Sequence, residues 1–135
     1  YTDNGREKTG KEVIDWSNEV VERGAGEIMI TSVDREGTGE GIDEDLVKKI
    51  TDNLSVPVIA SGGVGKKEHV FDLLKKTNAN AVSIASMFHY YLLSREDRTV
   101  NFNNHLEIKK PNNSIKSCSI KSIKHFLTGQ GFVLR

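Results

Sequence analysis

The segment that most constrains the fold is a glycine-rich turn near the middle of the chain. Residues 57–65 read Pro-Val-Ile-Ala-Ser-Gly-Gly-Val-Gly, and a helical pattern begins at Lys66. An apolar strand, a glycine turn and a helix in this order form a βα unit that exposes backbone N–H groups to an anion. Glycine permits close approach because it has no Cβ. The sequence therefore predicts a ligand site at Ser61, Gly62 and Gly63.

Two similar strand ends flank this turn in the sequence. Strands are predicted over residues 27–32, 57–61 and 81–86, and each ends in a hydroxyl residue beside a small one. Apolar residues at three- and four-residue spacing predict helices over residues 11–23, 43–53, 66–76 and 119–128, and a short helix is predicted from Met87. This alternation predicts a parallel sheet with right-handed crossovers.

The position of the glycine turn favours a (β/α)8 TIM barrel over a doubly wound sheet. A dinucleotide-binding turn follows the first strand, whereas here the turn follows the middle one. Barrels hold phosphate at the loops after strands seven and eight, which fits Gly62-Gly63 and Ala85-Ser86. A full barrel takes about 250 residues. The 135 residues therefore predict an α/β C-terminal half-barrel, one partial domain over 1–135 with an irregular polar loop over 95–117.

Composition argues against several classes of partner and ligand. The chain has 19 basic and 19 acidic residues, a balance that favours neither nucleic acid nor an anionic membrane surface. Neither a membrane span nor a secretory signal is predicted. The single cysteine, Cys118, is expected to be an ordinary surface or packed residue, and it fits a reducing cytoplasm. The scattered histidines, including His69 and His89, are interpreted as surface or capping residues, so no metal or cofactor is predicted.

Four segments of the chain together resemble one protein family. They are residues 24–28, 31–38, 59–66 and 85–89, and they occur in one order and at a characteristic spacing. The family they resemble is the cyclase subunit of imidazole glycerol phosphate synthase. The resemblance covers residues 1–91 and implies that the three strands are strands six, seven and eight of the barrel.

The resemblance implies a lyase of histidine biosynthesis that works in the cytoplasm with a glutaminase subunit as its heterodimer partner. Such an enzyme uses glutamine-derived ammonia and a phosphoribosyl-type bisphosphate to form imidazole glycerol phosphate and aminoimidazole carboxamide ribotide. The matching residues for one substrate phosphate are Glu36, Gly37, Gly63, Ala85 and Ser86. Glu36 stands where the family usually has aspartate. The family's catalytic aspartates lie on strands one and five, so no catalytic residue is predicted in this chain.

Strand alternation adds an expectation about the barrel interior. Glu27, Met29 and Thr31 share one face of the first strand. Thr31 is then either a contact at the rim or a satisfied barrel hydroxyl. The resemblance implies that Glu27 joins a charged ring that gates ammonia entry at the bottom of the barrel. Interior positions above it are Met29, Ile59, Ala81 and Ser83, which either line an ammonia passage or simply fill the barrel.

Two other functions stay open at this point. One is a paralogous ammonia-using subunit in surface-polysaccharide biosynthesis, because the chain departs from the family pattern after Tyr91. The other is a non-catalytic, phosphate-binding half-barrel that self-associates, since an unpaired parallel edge promotes association.

Overall fold

The chain folds into alternating helices and strands, as its sequence predicts. The computed structural model describes residues 1–2, 5–94 and 113–134. Its helices are α1 (Val13–Glu22), α2 (Glu44–Asn53), α3 (Lys67–Lys76), α4 (Ser86–Ser94) and α5 (Ile120–Gly129). Its strands are β1 (Ile28–Thr31), β2 (Val58–Ser61) and β3 (Ala81–Ser83). The α/β class is confirmed.

The three strands form one parallel sheet in the order β1-β2-β3. The register pairs Thr31 with Ser61 and Ser61 with Ser83. The three strands therefore end level with one another in hydroxyl residues. Because parallel strands share one carboxyl edge, the loops that follow them emerge side by side.

One face of the sheet is buried under helices. Val58 and Ala60 of β2 are almost fully buried, as are Leu73 of α3 and Met87 of α4. Ile123 and Leu127 bring α5 into the same cluster. The amphipathic helices close over this face because each one places its apolar residues on one side.

The opposite face of the sheet is open. Met29 is 60% exposed, Ala81 and Ser83 are exposed, and Ile59 is half-buried. These are the positions that alternation assigned to the interior of a barrel. An exposed apolar strand face of this kind is suited to be covered by further chain.

The third strand is shorter than the sequence predicts. It ends at Ser83, and Ala85-Ser86 lies beyond it at the start of α4. The predicted end at Ser86 is therefore wrong. The physical reason is pairing: β3 is bonded to β2, which stops at Ser61, and Gly62 then turns away with a φ of 94°.

Two apolar faces were also assigned incorrectly. Helical spacing with Val20 predicts that Trp16 seals its helix against the barrel, but Trp16 is 43% exposed. Ser17 is the buried residue of α1, and the Nζ atom of Lys11 lies 4.3 Å from the centre of the Trp16 ring. Helical spacing with Ile123 likewise predicts Ile120 on the inner face of α5, but it is 57% exposed. Periodicity fixes which residues share a face, but the neighbouring elements decide how far around the helix burial extends.

The predicted irregular loop lies largely outside the described residues, which omit 95–112. Residues 113–117 contain no helix or strand, yet Ile115 is only 8% exposed. No helix in the described part of the chain is long and apolar enough to cross a membrane.

Candidate anion-binding site

A small cavity opens at the carboxyl edge of the sheet, where the loops after β1, β2 and β3 meet. Its lining comprises Glu36, Gly37, Gly39, Ser61, Gly62, Gly63, Val64, Ser83, Ile84, Ala85 and Ser86. Seven of the eight residues predicted to bind phosphate or substrate are in this set, and Thr31 is not. The fold thus brings together side chains and turns that are up to 50 positions apart in the sequence.

The glycine turn after β2 lines the cavity with Gly62, Gly63 and Val64. Gly62 and Gly63 both have φ near 94°, a conformation that other residues rarely adopt. Within the part of the chain that the structure describes, the amides of these two glycines donate to no protein acceptor. Two unpaired amides in consecutive left-handed residues are suited to bind an anion.

The turn after β1 is held against the turn after β2. The Gly41 N–H donates to the Gly63 carbonyl at 2.8 Å. A Cβ on Gly63 would lie 2.1 Å from the Gly41 carbonyl oxygen, and a Cβ on Gly65 would lie 2.0 Å from that of Gly39. The two turns can approach this closely only because these positions are glycine.

Glu36 and Gly37 contribute to the cavity in different ways. The Glu36 N–H already donates to the Ser32 carbonyl at 3.0 Å, so it is not available to a ligand. The Gly37 N–H has no acceptor among the described residues, and Gly37 has a φ of 75°. Gly37 is therefore one candidate amide donor of this turn, and Gly39 is another, because its N–H also has no acceptor among the described residues.

The third side of the cavity is the start of α4. Ala85 precedes the helix, and its carbonyl accepts a bond from the His89 N–H at 3.0 Å. The first N–H groups of a helix have no partner within it, and the helix dipole makes them attractive to an anion. Ser86 adds a hydroxyl to these donors. Because β3 ends at Ser83, Ser86 is the first residue of α4 and not the last residue of a strand. This position adds helix N–H groups to the candidate site.

Two residues proposed from the sequence lie away from the cavity. Thr31 is half-buried at the end of β1 and pairs with Ser61 in the sheet. Glu27 is exposed just before β1, at the opposite end of the sheet from the glycine turns. Its position agrees with the bottom of a barrel, but its suggested role as an ammonia gate stays a prediction.

The cavity holds no cationic side chain. No Lys or Arg lines it within the described residues, so any attraction for an anion has to come from backbone amides and hydroxyl groups. The adjacent Asp34 and Arg35 predict a local ion pair from the sequence, but the Nη1 atom of Arg35 lies 3.9 Å from the Glu40 carboxylate instead. Burial raises the pKa of the Cys118 thiol, which makes it less reactive. Nothing in the described residues groups three or more His, Cys, Asp or Glu side chains around a metal position.

Two further residues hold the turns in place: His69, for which the sequence predicts a surface or capping role, and Ile115, which the sequence does not single out. His69, interpreted as a surface or capping residue, accepts a hydrogen bond at Nδ1 from the Gly65 N–H at 3.2 Å. Ile115 packs on Gly39, and the neighbouring Lys116 N–H donates to the Gly65 carbonyl at 2.6 Å. For His69 the signal was its place four residues after Gly65. For Ile115 no sequence signal was available.

These features define a class: a parallel α/β protein with a cavity formed by three successive βα turns at the carboxyl edge of its sheet. The model of the family described as "Histidine biosynthesis protein" matches residues 1–94. The chain belongs to this family.

Three curated relatives carry the name imidazole glycerol phosphate synthase subunit HisF. The one from Leptospira biflexa is 48% identical over 90 residues, covering 67% of this chain and 35% of the relative. The one from Pyrobaculum aerophilum is 48% identical over 94 residues, covering 70% and 37%. The one from Methanosphaera stadtmanae is 54% identical over 86 residues, covering 64% and 31%. The chain spans about a third of the length of these relatives.

Proposed function

We propose that this chain supplies strands six to eight of a (β/α)8 barrel in a cyclase subunit of imidazole glycerol phosphate synthase. The observation that carries the proposal is the cavity at Gly37, Gly63 and Ser86, where three turns converge on one space. The open face of the sheet at Met29 supports the barrel, because a closed barrel would bury it. The names of the relatives favour histidine biosynthesis over a polysaccharide paralogue.

The role of this segment is to hold one phosphate of the bisphosphate substrate. The amides of Gly37, Gly62 and Gly63 and the start of α4 donate hydrogen bonds to the phosphoryl oxygens. Fixing one end of the substrate lowers the entropy cost of reaching the reactive geometry at its other end. The general acid and base come from strands outside residues 1–135.

Ammonia reaches the reaction through the barrel interior under this proposal. Glu27 lies at the amino end of β1, on the same face as Met29. Met29, Ile59, Ala81 and Ser83 then line the path from Glu27 to the cavity. A cytoplasmic location follows from the proposed pathway and stays a prediction.

Reconstitution of the barrel tests the proposal. The chain is co-expressed with the portion of the Pyrobaculum aerophilum subunit that lies outside the 94 aligned residues. We expect ammonia-dependent turnover of the bisphosphate by the mixture and none by either part alone. A matched mixture containing Gly63→Ala should lose turnover, whereas one containing Gly26→Ala should keep it.

Two outcomes would contradict the proposal. Turnover by the 135-residue chain alone would show that its own residues supply the acid and base. A stable phosphate-bound dimer of the chain that does not exchange with the added portion would favour the self-associating half-barrel.

A further inference from the structure

His69 lies where the two glycine turns come closest to each other. Its Nδ1 atom accepts the Gly65 N–H at 3.2 Å, which fixes the end of the turn after β2. Its ring also lies beside Gly41, since a Cβ on Gly41 would be 3.7 Å from Cε1 and Nε2 of His69. Gly41 in turn donates its N–H to the Gly63 carbonyl at 2.8 Å. One side chain on α3 therefore accepts a hydrogen bond from the turn after β2 and lies next to the turn after β1.

Only the neutral ring can make this arrangement. An Nδ1 atom that accepts a hydrogen bond carries no proton, so the ring proton is on Nε2. On protonation, Nδ1 becomes a donor that faces the donor N–H of Gly65. The hydrogen bond is then lost and the two N–H groups repel each other.

We propose that His69 is a positioning residue that holds the two glycine turns in register, so that anion binding at the cavity depends on its protonation state. The inference rests on the proposed phosphate site and extends it, because His69 itself does not line the cavity.

The surroundings of His69 lower the pKa of its ring. Burial of the ring lowers its pKa from the ordinary value of 6.5, and the nearby charge of Lys66 acts in the same direction. The carboxylates of Asp72 and Glu68 on α3 and of Glu44 on α2 oppose the shift. The neutral ring is thus favoured in the folded state. Its contribution to folding is complete above pH 6.5 and is lost as pH falls through the lower folded-state value.

Sulfate binding to the 135-residue chain tests the inference. Sulfate stays doubly charged between pH 5.5 and 7.5, so only the protein titrates, and the amide signals of Gly62 and Gly63 report binding by NMR. His69→Asn keeps an acceptor near the position of Nδ1 but has no titration. His69→Phe keeps a ring beside Gly41 but has no acceptor.

We expect the Asn variant to bind sulfate within about 2-fold of the unmodified chain at pH 7.5, and equally at both pH values. The Phe variant should bind about 3- to 10-fold more weakly, which is the loss expected for one hydrogen bond. The unmodified chain should match the Asn variant at pH 7.5 and approach the Phe variant as the pH falls below the pKa that the His69 ring shows in the folded chain. Without ligand, the Gly65 amide signal should titrate with the same pKa as the His69 ring.

The outcomes separate this inference from the proposed function. If sulfate shifts Gly62 and Gly63 in all three proteins with the same affinity at both pH values, the positioning role is wrong and the phosphate site stands. Tighter binding at pH 5.5 would also overturn the inference, because it would mean that the added charge outweighs the lost hydrogen bond.

If the unmodified chain binds no sulfate at these glycines, both proposals fail. A Gly65 signal that ignores the titration of His69 refutes the contact itself, even if a variant does not fold.

Discussion

At the scale of single residues, the site depends on Gly63 and Gly65, because the backbone of the neighbouring turn lies where their Cβ atoms would be. Gly62-Gly63 could be recognised from the sequence because strand, glycine turn and helix start form a known local pattern. The closeness of Gly41 and Gly39 to that turn could not be recognised, because it depends on how two separate turns pack. The sequence predicts a surface or capping role for His69, and its ring does accept the Gly65 N–H before α3, but its position beside Gly41 could not be recognised for the same reason.

Gly63→Ala should lower the free energy of unfolding by about 2 kcal/mol or more. The substitution combines a left-handed backbone at φ 94° with a Cβ placed 2.1 Å from the Gly41 carbonyl oxygen. Gly26→Ala is the matched control, because nothing lies within 4 Å of its Cβ. Urea unfolding of the two variants gives the comparison. Equal midpoints would show that the turns are not packed as described.

Glu36→Gln should tighten sulfate binding by about 5-fold. Glu36 is exposed and is one of the residues that line the cavity, and a negative charge at short range in water disfavours an anion by about 1 kcal/mol. Glu36→Asp keeps the charge and should change the dissociation constant little. Calorimetry at low ionic strength measures the difference. Weaker binding by the Gln variant would mean that Glu36 supports the ligand rather than repelling it.

At the scale of helices and strands, the pattern of apolar residues located almost every element but not its exact burial. The helix over Ile120–Gly129 begins one residue after its predicted start because the Ser119 hydroxyl caps it, accepting the Ser122 N–H at 3.1 Å. Ile120 and Ile123 both belong to the predicted apolar face. The packing of α5 on α3 buries Ile123 to 5% exposure and leaves Ile120 at 57%.

Ile123→Ala should cost about 2–4 kcal/mol of unfolding free energy, because it leaves a cavity in the core. Ile120→Ala in the same helix should cost less than about 0.5 kcal/mol, as exposed substitutions usually do. Thermal and urea unfolding of the pair measure how α5 is docked. Similar losses of unfolding free energy for both variants would mean that Ile120 is buried like Ile123, as the sequence pattern predicts.

At the scale of the whole molecule, the chain is a parallel sheet covered on one face. Alternation along the strands predicted which residues face away from the helices, and the exposures of Met29, Ala81 and Ser83 agree. The sequence could not define how the sheet continues, since closure of a barrel depends on strands beyond these three. The predicted half-barrel therefore stays a proposal.

Met29→Lys should separate folding of the chain from assembly of the barrel. Met29 is 60% exposed, so the change should leave the urea midpoint of the isolated chain nearly unaltered. Inside a closed barrel the same lysine would be buried without a partner, and co-purification with the remaining barrel segment should fall sharply. Val133→Lys, at a residue that is 99% exposed, is the control. Unimpaired assembly of the Met29 variant would argue against a barrel interior on this face.

The central claim is that the three turns after β1, β2 and β3 together bind one phosphoryl group. Its most direct test is an NMR titration of the chain with glycerol 3-phosphate, a phosphomonoester without a ring. If the three turns bind one phosphoryl group, the amide signals of Gly37, Gly63 and Ser86 shift together and follow a single dissociation constant. Shifts confined to one turn, separate dissociation constants for the three amides, or changes centred elsewhere in the chain would contradict it.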